Sequence, residues 1–227
     1  MIPSPVRAVF FDVVGTLLHC EPPAAAVYAD VGRRHGSRLT EPEVLVRFQA
    51  SFARQERLDQ ARRLRTSEER EILRWRTIVA EVLDDVSDGQ RCFQDLFDHF
   101  ARPEHWRYTA AGEEVLSELA RRGYVLGLAS NYDRRLYRVI AGLPPLQTLH
   151  HYLISSEVGW CKPAPEYYKG LCRRVELSPS QILLVGDNLV NDFEGARSAG
   201  LHALLFDPAG DIPAGVSGLQ NLSELIV

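Results

Sequence analysis

The chain has 227 residues, of which 45% are hydrophobic and 25% are charged, and its formal net charge is −4. This composition is ordinary for a globular protein of one or two domains. The acidic balance argues against general binding to nucleic acids or to anionic membranes, and no apolar run reaches the length of a transmembrane helix. Four cysteines show neither CxxC nor zinc-ligand spacing, so we expect reduced thiols in a cytoplasmic protein.

The first predicted element is a buried strand at residues 9–11, an apolar run that ends at Asp12. Short apolar runs of this kind are typical of strands inside parallel sheets. Open α/β sheets bind their ligands at the carboxyl ends of such strands, and a carboxylate within an apolar run is costly unless it is paired or bound to a metal. Asp12 is therefore the first candidate site residue.

The following segment, through about residue 100, predicts helices and no strand. It opens with a hinge-like stretch at residues 19–23 that two prolines stiffen. Helical patterns then run from Ala24 to Arg34, onward from an N-cap at Thr40, onward from Thr66–Glu69, and through residues 92–100. We interpret residues 19–102 as a helical cap domain inserted after the first strand.

Strand and helix patterns alternate from residue 103 onward. Buried strands are predicted at 124–129, 152–154, 182–185 and 203–206, helices at 111–122, 134–141, 166–175 and 193–199, and a loop at 210–218. Such alternation is typical of a parallel sheet covered by helices, and the first strand must join this sheet to bury both of its faces. We therefore predict an α/β fold: a doubly wound, parallel, Rossmann-like core of residues 1–18 and 103–227, with the all-helical cap inserted.

Three more loops should bring polar residues to the same edge of this sheet. Ser130 and Asn131 follow one strand, Lys162 precedes a helix that opens with proline, and Asp187 and Asp192 follow another strand. Each residue alone has an ordinary explanation, as a helix cap, a turn or a solvated side chain. Together, two or three carboxylates, a lysine and a hydroxyl suit a divalent cation such as magnesium and a phosphate group.

In order and spacing these residues resemble the four motifs of the haloacid dehalogenase superfamily, in the subclass that carries a helical cap after the first strand. The motifs are Asp12-Val13-Val14-Gly15-Thr16, Ser130-Asn131, Lys162-Pro163, and the segment from Gly186-Asp187 to Asp192. Residues 130–136 and 155–160 further resemble a eukaryotic branch of that superfamily, the haloacid dehalogenase-like hydrolase domain-containing protein 3 branch. The resemblance covers the whole predicted core and the position of the cap.

This resemblance implies a magnesium-dependent phosphohydrolase that acts on a small phosphorylated molecule. Asp12 would be the nucleophile, forming an aspartyl-phosphate that water then hydrolyses. The resemblance also implies that Asp12, Asp187 and the backbone carbonyl of Val14 hold Mg²⁺, with Asp192 in the coordination sphere or just outside it.

The same resemblance assigns the remaining site residues to the phosphate group. Lys162 would neutralise charge between the nucleophile and the phosphate, while Thr16, Ser130 and the Asn131 amide would donate hydrogen bonds to phosphate oxygens. These roles agree with elementary electrostatics, because a carboxylate attacks a phosphate dianion only after positive groups have neutralised part of the charge.

The sequence departs from the family pattern at Val14. Phosphatases of this superfamily carry an aspartate there, two residues after the nucleophile, which protonates the leaving group and later activates water. General acid–base catalysis contributes about 10²–10⁴-fold, so we expect weak turnover or restriction to good leaving groups. His19, His105 or an acid of the cap could substitute, although a lone histidine is more often an ordinary packed or surface residue.

Two other functions remain open at this point: a non-catalytic protein that binds or senses a phosphorylated ligand, and a 2-haloacid dehalogenase. Dehalogenases of the superfamily typically have an aromatic residue where Val14 stands and lack the Asp187–Asp192 pattern, which favours phosphoryl chemistry. Arginines of the cap could meet an anionic substrate, but a solvated, salt-bridged helix face is the commoner explanation; they are Arg54, Arg57, Arg62, Arg63 and Arg65. The sequence gives no prediction of the oligomeric state.

Overall fold

The computed structural model describes residues 2–227. Its strands are β1 (Ala8–Phe11), β2 (Leu18–Cys20), β3 (Trp106–Tyr108), β4 (Val125–Ser130), β5 (His151–Ile154), β6 (Ile182–Gly186), β7 (His202–Phe206) and β8 (Gly218–Leu219). Its α-helices are α1 (Ala24–Arg34), α2 (Glu41–Ala61), α3 (Glu68–Val82), α4 (Gly89–His99), α5 (Gly112–Arg121), α6 (Arg135–Ala141), α7 (Pro144–Gln147), α8 (Ser155–Val158), α9 (Pro165–Val175) and α10 (Gly195–Ser198). A π-helical segment spans Leu189–Glu194, and short 3₁₀ turns span Pro103–His105, Pro179–Gln181 and Leu222–Leu225.

Six parallel strands form the central sheet, in the order β5-β4-β1-β6-β7-β8. The first strand lies at its centre, where Phe11 is in register with Leu128 of β4 and Val185 of β6. The chain adds β4 and β5 on one side of β1 and then adds β6, β7 and β8 on the other side. The direction in which strands are added therefore reverses at β1. In open α/β sheets, this reversal marks the crevice in which ligands bind.

Side chains alternate between the two faces of this sheet, and each face has its own apolar core. Val9 and Phe11 pack into one core together with residues of α5 and α6, whereas Ala8 and Phe10 pack into the other with residues of α9 and α10. Helices therefore cover both faces. This confirms the predicted doubly wound α/β fold.

The four helices α1 to α4 lie between β2 and β3 and share a separate apolar cluster, which includes Tyr28, Ile78 and Leu96. The predicted N-cap of α2 is present, since the Thr40 backbone N–H donates to the Glu43 carboxylate at 2.8 Å. α3 begins within the predicted stretch 66–69, where the Arg70 N–H donates to Ser67 Oγ at 3.2 Å. We call these four helices and their connections the insert. The domain boundaries at residues 18 and 103 stay a prediction.

Three short features differ from the expectations. The predicted hinge contributes Cys20 to β2, which pairs antiparallel with β3, and the predicted loop 210–218 ends in β8. The helix expected at residues 193–199 begins earlier, because the Asn188 side chain accepts hydrogen bonds from the N–H groups of Val190 (3.1 Å) and Asn191 (2.9 Å) and starts the π-helical segment. Strands of two or three residues show no usable periodicity, since pairing partners distant in sequence determine them.

Among residues 2–227, none of the helices combines the length and the hydropathy that crossing a lipid bilayer requires.

Candidate active site

The predicted site residues meet at the carboxyl edge of the central sheet. Asp12 follows β1, Asp187 follows β6, Asp192 lies in the π-helical segment, and Lys162 lies in the loop before α9. The Lys162 ammonium group donates to Asp12 Oδ1 at 2.7 Å and to Asp192 Oδ1 at 2.6 Å. Carboxylate oxygens of the three aspartates lie within 4.8 Å of one another. Four charged groups from three distant segments of the chain thus form one cluster.

Lys162 is almost completely buried, with 3% of its surface exposed. Its ammonium group makes a third hydrogen bond, of 2.7 Å, to the backbone carbonyl of Ala129. Burial alone would lower the pKa of Lys162, but the charges of Asp12 and Asp192 raise it well above its usual value. The lysine is therefore a fixed positive charge inside the site, and the explanation of a solvated side chain is wrong for it.

Negative charge exceeds positive charge in this cluster. The pKa of Asp12 is raised from 3.8 to about 7: burial is the largest cause, the charge of Lys162 opposes it, and Asp192 and Asp187 add to it. Burial also raises the pKa of Asp187, with a further contribution from Asp192. Three carboxylates around one ammonium group form an oxygen-rich set that a divalent cation would neutralise, and hard oxygen ligands are those that Mg²⁺ prefers. The donor set therefore fits a magnesium ion.

The carboxylates of Asp187 and Asp192 occupy space that is open only because Gly15 and Gly186 have no side chain. Gly15 has a φ of +93°, and a Cβ at this position would lie 2.2 Å from Asp187 Oδ2. A Cβ on Gly186 would lie 2.2 Å from the carboxyl carbon of Asp192. Any side chain at either position would displace an acid of the cluster, which explains why glycine accompanies the aspartates in both motifs.

The residues predicted to contact phosphate are near this cluster, but some are engaged with protein groups. Thr16 is fully buried and its hydroxyl donates to Asp187 Oδ1 at 3.3 Å. Ser130 is buried at the end of β4 rather than capping α6, whose N-cap is Arg134. The Asn131 side chain accepts from the Lys162 N–H at 2.7 Å and donates to the Lys162 carbonyl at 3.0 Å. Their contacts with phosphate stay a prediction.

Val14 places an apolar side chain in the turn after Asp12. Val14 is 42% exposed, and its turn is closed by a 2.8 Å hydrogen bond from the Gly15 N–H to the Leu18 carbonyl. His19 pairs with Arg107 in the two-stranded sheet, and the ring of His105 stacks on that of His99 at a centroid distance of 3.7 Å. Both histidines thus have structural contacts at the base of the insert.

Sequence reasoning identified Asp192 but missed several hydrogen bonds that hold the cluster in place. Asp192 is neither exposed nor an N-cap; its Oδ2 accepts from the backbone N–H of Asn188 at 3.1 Å while Oδ1 holds Lys162. The clamp of Asn131 on the Lys162 backbone and the carbonyl of Ala129 were also missed. Only the Asx-type start at Asn188 has a local signal, since asparagine often accepts hydrogen bonds from the N–H groups that follow it.

Comparison with known proteins agrees with this geometry. The human haloacid dehalogenase-like hydrolase domain-containing protein 3 is 30% identical over 209 residues, which cover 88% of this chain and 81% of the human protein. A phosphoserine phosphatase of Thermus thermophilus is 29% identical over 227 residues, which cover 89% of each chain. The solved structure of the HAD-hydrolase YfnB from Bacillus subtilis, bound to magnesium, matches with a TM-score of 0.78 at 18% identity over 97% of this chain and 96% of YfnB.

The first relative confirms the predicted resemblance to the branch of domain-containing protein 3, and YfnB confirms the fold. A family profile described as haloacid dehalogenase-like hydrolase matches residues 6–200, a range that contains the three aspartates and Lys162. The chain therefore belongs to the haloacid dehalogenase-like hydrolases.

Proposed function

We propose that this protein is a magnesium-dependent phosphohydrolase that acts on small phosphorylated molecules through an aspartyl-phosphate on Asp12. The observation that carries the proposal is the buried cluster in which Lys162 joins Asp12 (2.7 Å) to Asp192 (2.6 Å) beside Asp187. A buried nucleophilic carboxylate, a fixed ammonium group and excess carboxylates are what in-line attack on a phosphate group requires.

In the first step, Asp12 attacks the phosphorus atom. Lys162 contacts Oδ1 of Asp12, so we take Oδ2 as the attacking oxygen. The new Oδ2–P bond forms as the bond from phosphorus to the leaving oxygen breaks, and that oxygen departs with the electron pair. In the second step, water attacks the same phosphorus, the Oδ2–P bond breaks, and inorganic phosphate and the free Asp12 carboxylate are released.

Asp12, Asp187 and the backbone carbonyl of Val14 are the groups that we propose hold Mg²⁺, with Asp192 as a ligand or next to the ligands. When bound, the ion would neutralise phosphate charge and make the approach of a carboxylate favourable. Lys162 supplies a fixed positive charge beside Asp12 Oδ1 and keeps this oxygen oriented. Thr16, Ser130 and Asn131 are proposed as hydrogen-bond donors to the transferred group.

The substrate range should follow from Val14. An isopropyl group donates no proton, so the leaving oxygen must depart as an anion or take its proton from water. Aryl phosphates, acyl phosphates and anhydrides tolerate this, whereas alkyl phosphates lose the acid–base contribution of about 10²–10⁴-fold. The phosphoserine phosphatase relative supports phosphomonoesters as the substrate class. The four free cysteines support a cytoplasmic location as part of the proposal.

The direct test is hydrolysis of p-nitrophenyl phosphate with Mg²⁺, comparing the wild-type protein with Asp12→Asn. We expect turnover by the wild type that EDTA abolishes, and loss of turnover in the variant because an amide cannot form the phosphorylated intermediate. Trapping of a phosphorylated Asp12 after rapid mixing would support the mechanism directly. Equal rates for the two proteins would contradict the proposal.

The exposed Val14 side chain also favours a second candidate, a protein that binds a phosphorylated ligand and does not turn it over. This candidate predicts phosphate and Mg²⁺ binding without any phosphorylated Asp12. The variant Val14→Asp separates the two: a large gain on alkyl phosphates indicates a phosphatase site that lacks only its acid. Dehalogenation, the third possibility, predicts halide release from 2-haloacids that EDTA does not affect.

A further inference from the structure

One short segment of the insert contacts the loop that carries Lys162. It is the stretch from Leu64 to Glu68, between α2 and α3. The Leu64 carbonyl accepts from the Cys161 N–H at 2.9 Å, and the Thr66 N–H donates to the Gly159 carbonyl at 3.1 Å. Between these bonds, Arg65 pairs antiparallel with Trp160. The insert is thus hydrogen-bonded to the residue directly before Lys162.

Glu68, at the end of this stretch, joins the insert to two loops of the core. Its two carboxylate oxygens accept from the backbone N–H of Arg134 at 3.1 and 3.3 Å. The Ser156 hydroxyl donates to the same carboxylate. Arg134 lies in the loop after β4 and Ser156 lies just after β5. A single side chain of the insert therefore ties together two segments of the core: the loop that carries Asn131, and α8, the helix before the loop that carries Lys162.

The loop after β4 and α8 are also hydrogen-bonded directly to each other. Ser155 Oγ accepts from the Tyr132 N–H and donates to the Tyr132 carbonyl, both at 3.1 Å. Asn131 then holds the backbone N–H and carbonyl of Lys162. Glu68 is thus connected to Lys162 by its hydrogen bonds to Arg134, by the backbone of residues 131–134, and by the hydrogen bonds of Asn131 to Lys162. A displacement of Glu68 should therefore also displace Lys162, whose ammonium group donates to Asp12.

An acidic residue in the first turn of a helix often serves only that helix, by favourable interaction with its N-terminus. Glu69 fits this description, because it is exposed and its pKa is lowered by hydrogen bonds to its own backbone N–H and to Ser67. Glu68 instead directs its carboxylate across the interface to Arg134 and Ser156. Hydrogen bonds to a charged acceptor are the stronger kind, so the two neighbouring acids are expected to differ in function.

We propose that Glu68 is a positioning residue: it fixes the Lys162 loop against the insert, so that Lys162 is correctly placed only when the insert is docked. This inference rests on the proposed phosphoryl transfer at Asp12. Displacement of a catalytic group by about 1 Å can cost about 10²-fold in rate. Glu68 contacts neither Asp12 nor Lys162, and it acts through α8 and the loop after β4 alone.

The test compares Glu68→Ala with the matched control Glu69→Ala, in the full-length protein. The first readout is hydrogen–deuterium exchange of peptides that cover residues 130–136 and 156–164. Loss of hydrogen bonds to a charged acceptor is expected to accelerate exchange at Arg134, Cys161 and Lys162 by about tenfold or more. Exchange of β1 should not change, which excludes global unfolding as the cause. The control should match the wild type at every peptide.

The second readout is turnover of p-nitrophenyl phosphate, measured well below the unfolding temperature. For Glu68→Ala we expect kcat to fall by about 10- to 100-fold, while the Mg²⁺ affinity measured by calorimetry stays within about twofold. Glu68→Gln keeps one acceptor oxygen and should restore part of both effects. A merely structural role would lower the melting temperature without this separation of kcat from Mg²⁺ binding.

Two results would overturn the inference: exchange in Glu68→Ala that equals exchange in Glu69→Ala, or faster exchange of the loops with an unchanged kcat. Failure of the proposed function looks different, since the wild type would then turn over no faster than Asp12→Asn. In that event the exchange comparison still decides whether Glu68 fixes the Lys162 loop.

Discussion

Among residues 2–227, one cluster of buried charges lies inside the insert and another lies at the edge of the sheet. In the insert, Asp59 accepts a hydrogen bond from Arg70 at 2.6 Å and forms an ion pair with Arg74 at 3.1 Å, and the nearby Glu71 accepts from the Thr66 hydroxyl at 2.5 Å. Two guanidinium groups therefore face two carboxyl groups. At the sheet edge, the single ammonium group of Lys162 faces three carboxylates.

The difference in balance distinguishes a structural cluster from a functional one. Buried charges are tolerated when opposite charges lie nearby, and in the cluster of the insert the positive and negative groups are equal in number. The cluster of the sheet edge retains unneutralised negative charge, and burial with mutual repulsion raises the pKa of Asp12 to about 7. Without an added cation, the repulsion among these carboxylates should lower the free energy of unfolding. The following predictions test this comparison, beginning with the largest effect.

Lys162→Met should have the largest effect on stability. It removes the only cation from a cluster of three carboxylates, of which Asp12 and Asp192 are buried, and breaking a buried ion pair costs about 3–5 kcal/mol. We expect a loss of this size in the free energy of unfolding, measured with urea at pH 8 in EDTA, together with loss of turnover. Lys169→Met is the control, because Lys169 is the only other lysine and is exposed. A loss below about 1 kcal/mol would mean that the ammonium group is not needed to balance the acids.

Asp59→Asn should break the balanced cluster with a smaller effect. Arg70 and Arg74 keep an amide oxygen as acceptor but lose the compensating charge, which we expect to cost about 2 kcal/mol in the free energy of unfolding. Stabilisation by Mg²⁺ should be the same as in the wild type, since Asp59 is not one of the proposed Mg²⁺ ligands. Asp30→Asn is the control, because its salt bridges with Arg33 and Arg34 are exposed; it should stay within about 0.5 kcal/mol. Any change in Mg²⁺ binding by Asp59→Asn would contradict the separation of the two clusters.

The pH dependence of stability should reveal the excess of acid at Asp12. Its folded-state pKa of about 7 lies above its usual value of 3.8, so the unfolded state releases this proton first as pH rises. The folded state then binds more protons than the unfolded state, and stability falls with pH. In EDTA, this contribution is fully present below about pH 4 and is lost by about pH 7, an effect on the order of a few kcal/mol.

Magnesium should reverse that loss, because it favours the ionised Asp12. We expect the rise in melting temperature on adding Mg²⁺ to increase from pH 5 to about pH 7 and then to level off. Asp12→Asn removes the titrating group and should flatten this dependence. A rise that is independent of pH in the wild type would contradict the assignment of excess negative charge to Asp12.

The sequence predicted the location of the site because parallel strands end at a common edge. Asp12, Asp187 and Lys162 each follow or approach such an end, so their meeting required no knowledge of side-chain contacts. The N-caps at Thr40 and Ser67 were also predictable, since they depend on residues three positions apart. Local patterns thus determined both the elements and the edge at which the polar residues meet.

Contacts between distant segments were not predictable, because tertiary packing decides them. The arginines of the insert were interpreted as a solvated, salt-bridged helix face, and their partners were left open. In the structure, Arg54 pairs with Glu81 of another helix, while Asp59 pairs with Arg70 and Arg74. The direction of the Asn131 side chain, toward the Lys162 backbone rather than toward a ligand, has the same cause. A periodic pattern states which face a residue occupies and not which partner it finds there.

Thr16→Val should give the smallest effect. It tests whether the Thr16 hydroxyl serves the acid cluster alone or also binds phosphate. The buried Thr16 hydroxyl donates its single proton to Asp187 Oδ1, yet the same hydroxyl is predicted to donate to phosphate, and it can serve only one acceptor at a time. Valine keeps the volume and removes this donor. We expect a loss of about 1 kcal/mol in the free energy of unfolding in EDTA, and about a tenfold loss of affinity for inorganic phosphate in the presence of Mg²⁺.

The control for this substitution is Thr77→Val, which removes a hydroxyl that donates to the Leu73 carbonyl on an exposed helix surface. It should leave phosphate binding unchanged by calorimetry. If Thr16→Val lowers stability while phosphate affinity stays within twofold, Thr16 belongs to the acid cluster alone, as a donor that offsets part of the charge of Asp187. Phosphate recognition would then depend on Ser130, Asn131 and Lys162, because a hydroxyl that donates to a carboxylate leaves it only for a stronger acceptor.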